Sequence, residues 1–141
     1  MNNYFKTQQI RNVLKNRNVL NLFEITSLED TDCFLLDYND KGKHIRMLIL
    51  VNASYDVIIR YIIAENSNPA NKEMLLELIN RLNDTRKIKY YLTQDNLIVA
   101  EKLFTTTDDD FNAELLVEYA IALLKSVEEN DYPKVMRILW S

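Results

Sequence analysis

The amino-acid sequence predicts an α+β fold in which an antiparallel sheet is flanked by helices, in the order α-β-β-β-β-α-β-β-α. Three observations carry this reading. From Val19 to Ala64, β-branched and aromatic residues alternate with polar ones between short turn signals. Leu75, Leu78, Ile79 and Leu82 then recur at i, i+3, i+4 and i+7, the spacing of one buried helix face. A last helical run aligns Ala113, Val117, Ala120, Leu124 and Val127. Strands come in groups rather than in strict alternation with helices, which favours an antiparallel sheet.

Taken in order, Asn3 to Asn16 carries Phe5, Ile10, Val13 and Leu14 at helical spacing. Val19–Thr26 reads as a strand and Leu28–Asp32 as a polar turn. Cys33–Tyr38 and Ile45–Val51 flank Gly42, whose freedom to take φ > 0 suits a hairpin turn. In Ile45–Val51, Ile45, Met47, Ile49 and Val51 share one face while Leu48 and Leu50 lie on the other, as in a central strand. Tyr55, Val57, Ile59, Tyr61 and Ile63 alternate with Asp56 and Arg60, giving a half-buried strand. Ile49 and Ile59 are therefore expected in the core, and Arg46 and Arg60 on the opposite face.

Glu65–Pro69 breaks the alternation. Pro69 fits the first turn of a helix that Asn68 or Asn71 can cap. Ile88–Leu92 and Leu97–Phe104 make two shorter strands joined by Gln94-Asp95-Asn96. Thr107-Asp108-Asp109-Asp110 suits the positive end of a final helix running to about Asn130, which Tyr132-Pro133 should end. No linker, repeat or low-complexity tract divides residues 1–141, so a single domain is expected.

Composition excludes more than it suggests. One glycine stands where average usage of about 7% would give roughly ten, so glycine-cradled phosphate sites are ruled out. One histidine and one cysteine leave too few ligands for a soft-metal site built from four protein side chains, and no cofactor or metal is expected. The balance of 17 Lys+Arg against 21 Asp+Glu gives a net charge of −4, which disfavours nucleic acid and anionic membranes. No run is long and apolar enough to span a bilayer. An unpaired cysteine and an N-terminus without an apolar signal stretch fit a cytoplasmic setting.

The run Met74-Leu75-Leu76-Glu77-Leu78-Ile79-Asn80-Arg81-Leu82-Asn83 resembles the leucine-rich helix of bacterial YbjN-like proteins, which ends in a similar Asn-x-x-Asn pattern. The flanking order of elements is similar from Val19 to Asn130. The resemblance implies a fold like that of type III secretion chaperones, small acidic α/β proteins that commonly dimerise and hold secreted effectors. This sequence has four strands before its middle helix where those chaperones typically have three. The resemblance supplies no catalytic residues.

His44 and Cys33 flank one turn, but a simple register about Gly42 sets His44 near Tyr38, away from Cys33. Both read as structural. Asp108-Asp109-Asp110 lacks the alternating ligands and glycine of a calcium loop and reads as helix-start electrostatics. Arg81, Arg86, Lys87 and Lys89 form a basic corner tempered by Glu77 and Asp84. Asn80 and Asn83 read as a structural joint at the end of the middle helix, with Asn83 able to adopt a left-handed conformation. The tail places Tyr132, Val135, Met136, Ile138, Leu139 and Trp140 within nine residues. It is the candidate partner surface, with docking of the tail and of Trp140 onto the domain as the simpler alternative.

The leading expectation is a non-enzymatic, chaperone-like interaction module that presents an apolar surface to a protein, its own copy included. A ligand-sensing regulator with a pocket between sheet and helices is the alternative, and its small molecule is unspecified. A third class is an enzyme working with carboxylates, tyrosines or asparagines alone, betrayed by paired acids in a cleft.

Overall fold

Hairpin turns set the frame of the sheet. The computed structural model describes residues 4–53 and 55–140. Lys41 and Gly42 both have positive φ (52° and 84°), so a two-residue turn joins β2 (Thr31–Asp40) to β3 (Lys43–Asn52). A Cβ on Gly42 would meet nothing within 4 Å, so backbone conformation is what calls for glycine there. Glu29, at φ 38°, turns β1 (Phe23–Leu28) into β2. With β4 (Asp56–Glu65), β5 (Lys89–Leu92) and β6 (Leu97–Thr105), these strands make a six-stranded antiparallel sheet in the order β1-β2-β3-β4-β6-β5. A bulge at Ile63 shifts the β4–β6 register.

Around the sheet lie α1 (Phe5–Asn16), α2 (Lys72–Thr85), α3 (Ala113–Ser126) and α4 (Tyr132–Leu139). Their buried residues form one cluster with Phe34, Ile45, Met47, Ile49, Val51, Val57, Ile59, Tyr61, Ile98 and Ala100 from the sheet. Cross-strand partners Met47↔Tyr61 and Ile49↔Ile59 show that these side chains share one face. The α+β class, the four strands before the middle helix and the stripe Leu75, Leu78, Ile79, Leu82 agree with the sequence analysis. Ile49 and Ile59 are core, 1% and 0% exposed, and Arg46 and Arg60 lie on the other face.

Polar struts seat the helices. Thr7 and Ser27 donate to the two oxygens of fully buried Asp32, both at 2.7 Å, fixing α1 to β2. Arg17 reaches Glu114 (2.7 Å) and Glu118 (3.3 Å) of α3. Tyr61 donates from the sheet to the Ala120 carbonyl at 2.6 Å.

Several expectations are corrected. Val19–Thr26 is not all strand: Asn18 at φ 60° reverses the chain, and Leu20–Leu22 form a 3-10 turn before β1 begins. The polar turn shrinks to Glu29-Asp30, and Tyr55 precedes β4, 63% exposed. Residue 3, the expected start of α1, lies outside the described residues. Phe5 is half exposed, while Thr7 points inward in its place. Asp108–Asp110 do not begin α3. They sit in the turn before it, and Asn112 caps the helix by accepting from Leu115 N–H at 3.0 Å. Tyr132-Pro133 does not end the helix. A π-helical turn over Val127–Asp131, closed by Tyr132 N–H on the Val127 carbonyl, absorbs the proline into the first turn of α4.

Candidate functional site

Alternation gives each strand a second set of side chains, and in the centre of this sheet that set is also apolar. The register places Cys33, Leu50, Ile58 and Leu103 in one row across β2, β3, β4 and β6. Leu35 and Leu48 begin the next row, and Ile62 and Val99 belong to the one beyond. None of these eight residues joins the cluster formed by the helices and the inner face. Among the described residues no helix packs them into that core, and only Leu103, at the edge beyond β5, also lines a cleft against α3. Leu35, Leu48, Leu50, Ile58 and Ile62 are half-buried by one another, and Leu103 is 54% exposed.

Charges cross and flank this open face in pairs. Arg60 holds Glu101 at 2.7 Å, and Tyr91 donates to the same carboxylate at 3.1 Å. Arg46 meets Asp37 at 3.1 Å, with His44 Nε2 at 3.5 Å from that oxygen. Lys89 lies 5.5 Å over the Tyr91 ring. Glu24 and Lys89 mark opposite ends of the row Glu24-Leu35-Leu48-Arg60-Glu101-Lys89. The result is an apolar surface crossed by the Arg60–Glu101 pair, which lies between Ile58 and Leu103 on one side and Ile62 and Val99 on the other, with further charges at its edges.

Cys33 and His44 are not brought together. Cys33 pairs with Leu50, and His44 pairs with Asn39, one position from the expected Tyr38. Six residues of strand between their pairs amount to about 20 Å. Burial pushes the Cys33 thiol up, which disfavours the nucleophilic thiolate. Asp108 pairs with Lys6 at 3.0 Å, and Asp110 accepts from Thr107. The basic corner divides: Arg81, Lys87 and Lys89 are exposed, while Arg86 turns inward to Asp131 at 2.8 Å. Asn83 stays helical and clamps β5, donating to the Tyr90 carbonyl at 3.0 Å and accepting from Tyr90 N–H at 2.7 Å. It is a joint, though not through a left-handed residue. Asn80 lies on the exposed side of α2.

The tail splits by helical period. Tyr132, Val135 and Ile138 are buried within the domain, and Met136 and Leu139 are half-buried against it. Trp140 is 80% exposed, so its expected docking does not occur within the chain. It follows the last turn of α4, whose inward stripe ends at Ile138 and Leu139.

Two features escaped sequence reasoning. Beneath α4, buried Asp131 accepts from Arg86 and from Tyr90, whose hydroxyl burial and this carboxylate push well above its ordinary value. Arg86 and Asp131 are 45 residues apart, so no local spacing announces the pair. A hydrogen bond to Glu128, followed by burial, pushes Tyr38 up to about 12. Both acids sit in the π-helical turn and act as struts. Elsewhere a cleft of about 570 Å³ lies between β6 and α3, lined by Leu103, Phe104, Phe111, Leu115, Leu116 and Tyr119. It opens past Leu115, 60% exposed. Among the described residues no three His, Cys, Asp or Glu side chains are gathered as metal ligands would be, and no helix is long and apolar enough to cross a membrane.

No family model matches the chain, and no curated protein matches it closely.

Proposed function

We propose that this chain is a non-enzymatic protein-interaction module, chaperone-like in its mode of action, whose open sheet face receives a protein partner. One observation carries the reading: Leu35, Leu48, Leu50, Ile58, Ile62 and Leu103 leave apolar surface partly open on a sheet face outside the helix-packed core, crossed by the Arg60–Glu101 pair. Monomeric soluble proteins rarely leave such a patch in water. The paired charges within and around it would favour a matching partner over non-specific collapse. The YbjN-like resemblance and a cytoplasmic setting belong to the same proposal, the first resting on Met74–Asn83 and the element order, the second on the lone cysteine. A ligand-sensing role finds less support, because the β6–α3 cleft opens to solvent past exposed Leu115, although Lys102, Thr105, Thr106, Asp110 and Asn112 line it beside the apolar residues.

The experiment is site-specific photo-crosslinking in the native cells. A photoreactive side chain at Leu48 should form discrete protein adducts, and one at Glu77 on the exposed side of α2 should not. Absence of any protein adduct at Leu48, or equal adducts at both positions, would overturn the reading.

A further inference from the structure

The open face has a size and a charge layout that discriminate among partners. Four long strands about 4.8 Å apart and about 30 Å long, with shorter margins from β1 and β5, present on the order of 700 Å². A stable interface takes about 800 Å² from each side, so this face is of the size that one flat, equal partner would fill. A bound helix would cover only a strip about 10 Å wide and leave much of the stripe wet. Sheets, by contrast, pack face to face about 10 Å apart with side chains interdigitating.

Charge points the same way. The chain as a whole carries −4, which would set two copies against each other. On the open face most charges are already neutralised in place, Arg60 by Glu101 and Arg46 by Asp37. The unpaired ends of the Leu48 row are opposite in sign, Glu24 on β1 and Lys89 on β5. A twofold axis lying between the sheets and parallel to β3 and β4 exchanges the two edges. It lays Glu24 near Lys89 of the other copy, twice over, and stacks Leu50 on Ile58 and Cys33 on Leu103. Arg46 and Arg60 then rest their aliphatic stems on Ile62 and Leu48 while keeping their own carboxylates.

We infer that the occupant of the open face is a second copy of this chain, packed sheet to sheet about that axis; the inference rests on reading the face as a protein-docking surface.

The test uses the purified chain. Sedimentation should give twice the 16.7 kDa chain mass. Leu50→Lys and Ile58→Lys should each halve it with the circular dichroism of a folded protein, whereas Leu76→Lys on exposed α2 should not. Because a lysine variant could fail to fold, the photoreactive group at Leu48 provides a second readout: in pure protein it should yield a covalent dimer. Glu24→Lys and Lys89→Glu should each weaken the dimer tenfold or more, and the two together should restore it. A monomer at every concentration with no self-adduct, or a dimer indifferent to folded L50K and I58K, would overturn the inference. Failure of the charge swap to restore would overturn the axis. If Leu48 captures a different protein in cells while the pure chain stays monomeric, the second copy is refuted and the proposed function stands. No adduct in either setting refutes both.

Discussion

Both faces of this sheet carry large apolar side chains, and they differ in the charges set among them and in what covers them. On the inner face Ile45, Met47, Ile49, Val57, Ile59 and Tyr61 are at most 1% exposed beneath four helices. On the other, Leu35, Leu48, Leu50, Ile58 and Ile62 are only half-buried, by their own neighbours. The inner face also carries the polar struts that fix helices, among them Asp32, Tyr61 and Tyr90. The open face keeps its ion pairs in its own plane. Apolar character alone therefore does not define a core. What separates the faces is whether the chain supplies the second layer.

The sharpest way to break this comparison is to truncate one residue on each face. Ile59→Ala should cost about 2–5 kcal/mol in urea unfolding, because the removed methyl groups leave a cavity among helices that cannot collapse fully. Leu48→Ala, measured in dilute solution, should cost about 1 kcal/mol or less, since part of that side chain already faces water. Equal losses would mean that both faces are packed within the chain.

A smaller effect follows from titration. Tyr38, Tyr61 and Tyr90 belong to the inner face, and all three hold their protons more tightly folded than unfolded. A raised folded pKa means the unfolded chain releases its proton first. Their stabilisation is thus complete below pH 10 and is lost as pH rises, for Tyr38 from 10.0 toward about 12. The melting temperature should fall across that window. Tyr38→Phe should flatten the fall, whereas Tyr91→Phe on the open face should flatten it less. A melting temperature constant to pH 12 would contradict the assignment.

Least of all should depend on Trp140. Trp140→Ala should alter stability by no more than about 0.5 kcal/mol, as expected of an exposed side chain. Its emission should be that of a water-exposed indole. Blue-shifted emission that persists on dilution would place Trp140 in the core and blur the line between the covered and open surfaces.

Local pattern accounts for most of what the sequence revealed. Leu75, Leu78, Ile79 and Leu82 could be read because helical period and burial coincide, and Gly42 because positive φ has few other solutions. Pro133 misled because a π-helical turn can absorb a residue that would otherwise stop a helix. Asp108–Asp110 misled because acids favour both helix starts and the turn before them, and Asn112 took the cap. The open face was half legible. Leu48 and Leu50 stood out as apolar on the second side of β3, but their periodicity is the same whether a helix, a sheet or water lies opposite. The Arg86–Asp131–Tyr90 strut was illegible, since its members meet only after the π-helical turn before α4 comes back against the end of α2 and β5.

The anchor of α1 has a consequence for synthesis. Arg17 finds its carboxylates 97 and 101 residues further along the chain, whereas β1 to β4 are joined by short turns and pair in sequence. As the protein leaves the ribosome, the meander can close while Glu114 and Glu118 are still unmade. The first helix to emerge then waits for its last ion pairs, held in the interim by the bond from Thr7 to Asp32 and by the apolar face of Ile10, Val13 and Leu14. Slowing translation before α3 would lengthen the life of a nascent sheet whose inner face still lacks α3 and α4, and it is in that interval that a holding chaperone would find it.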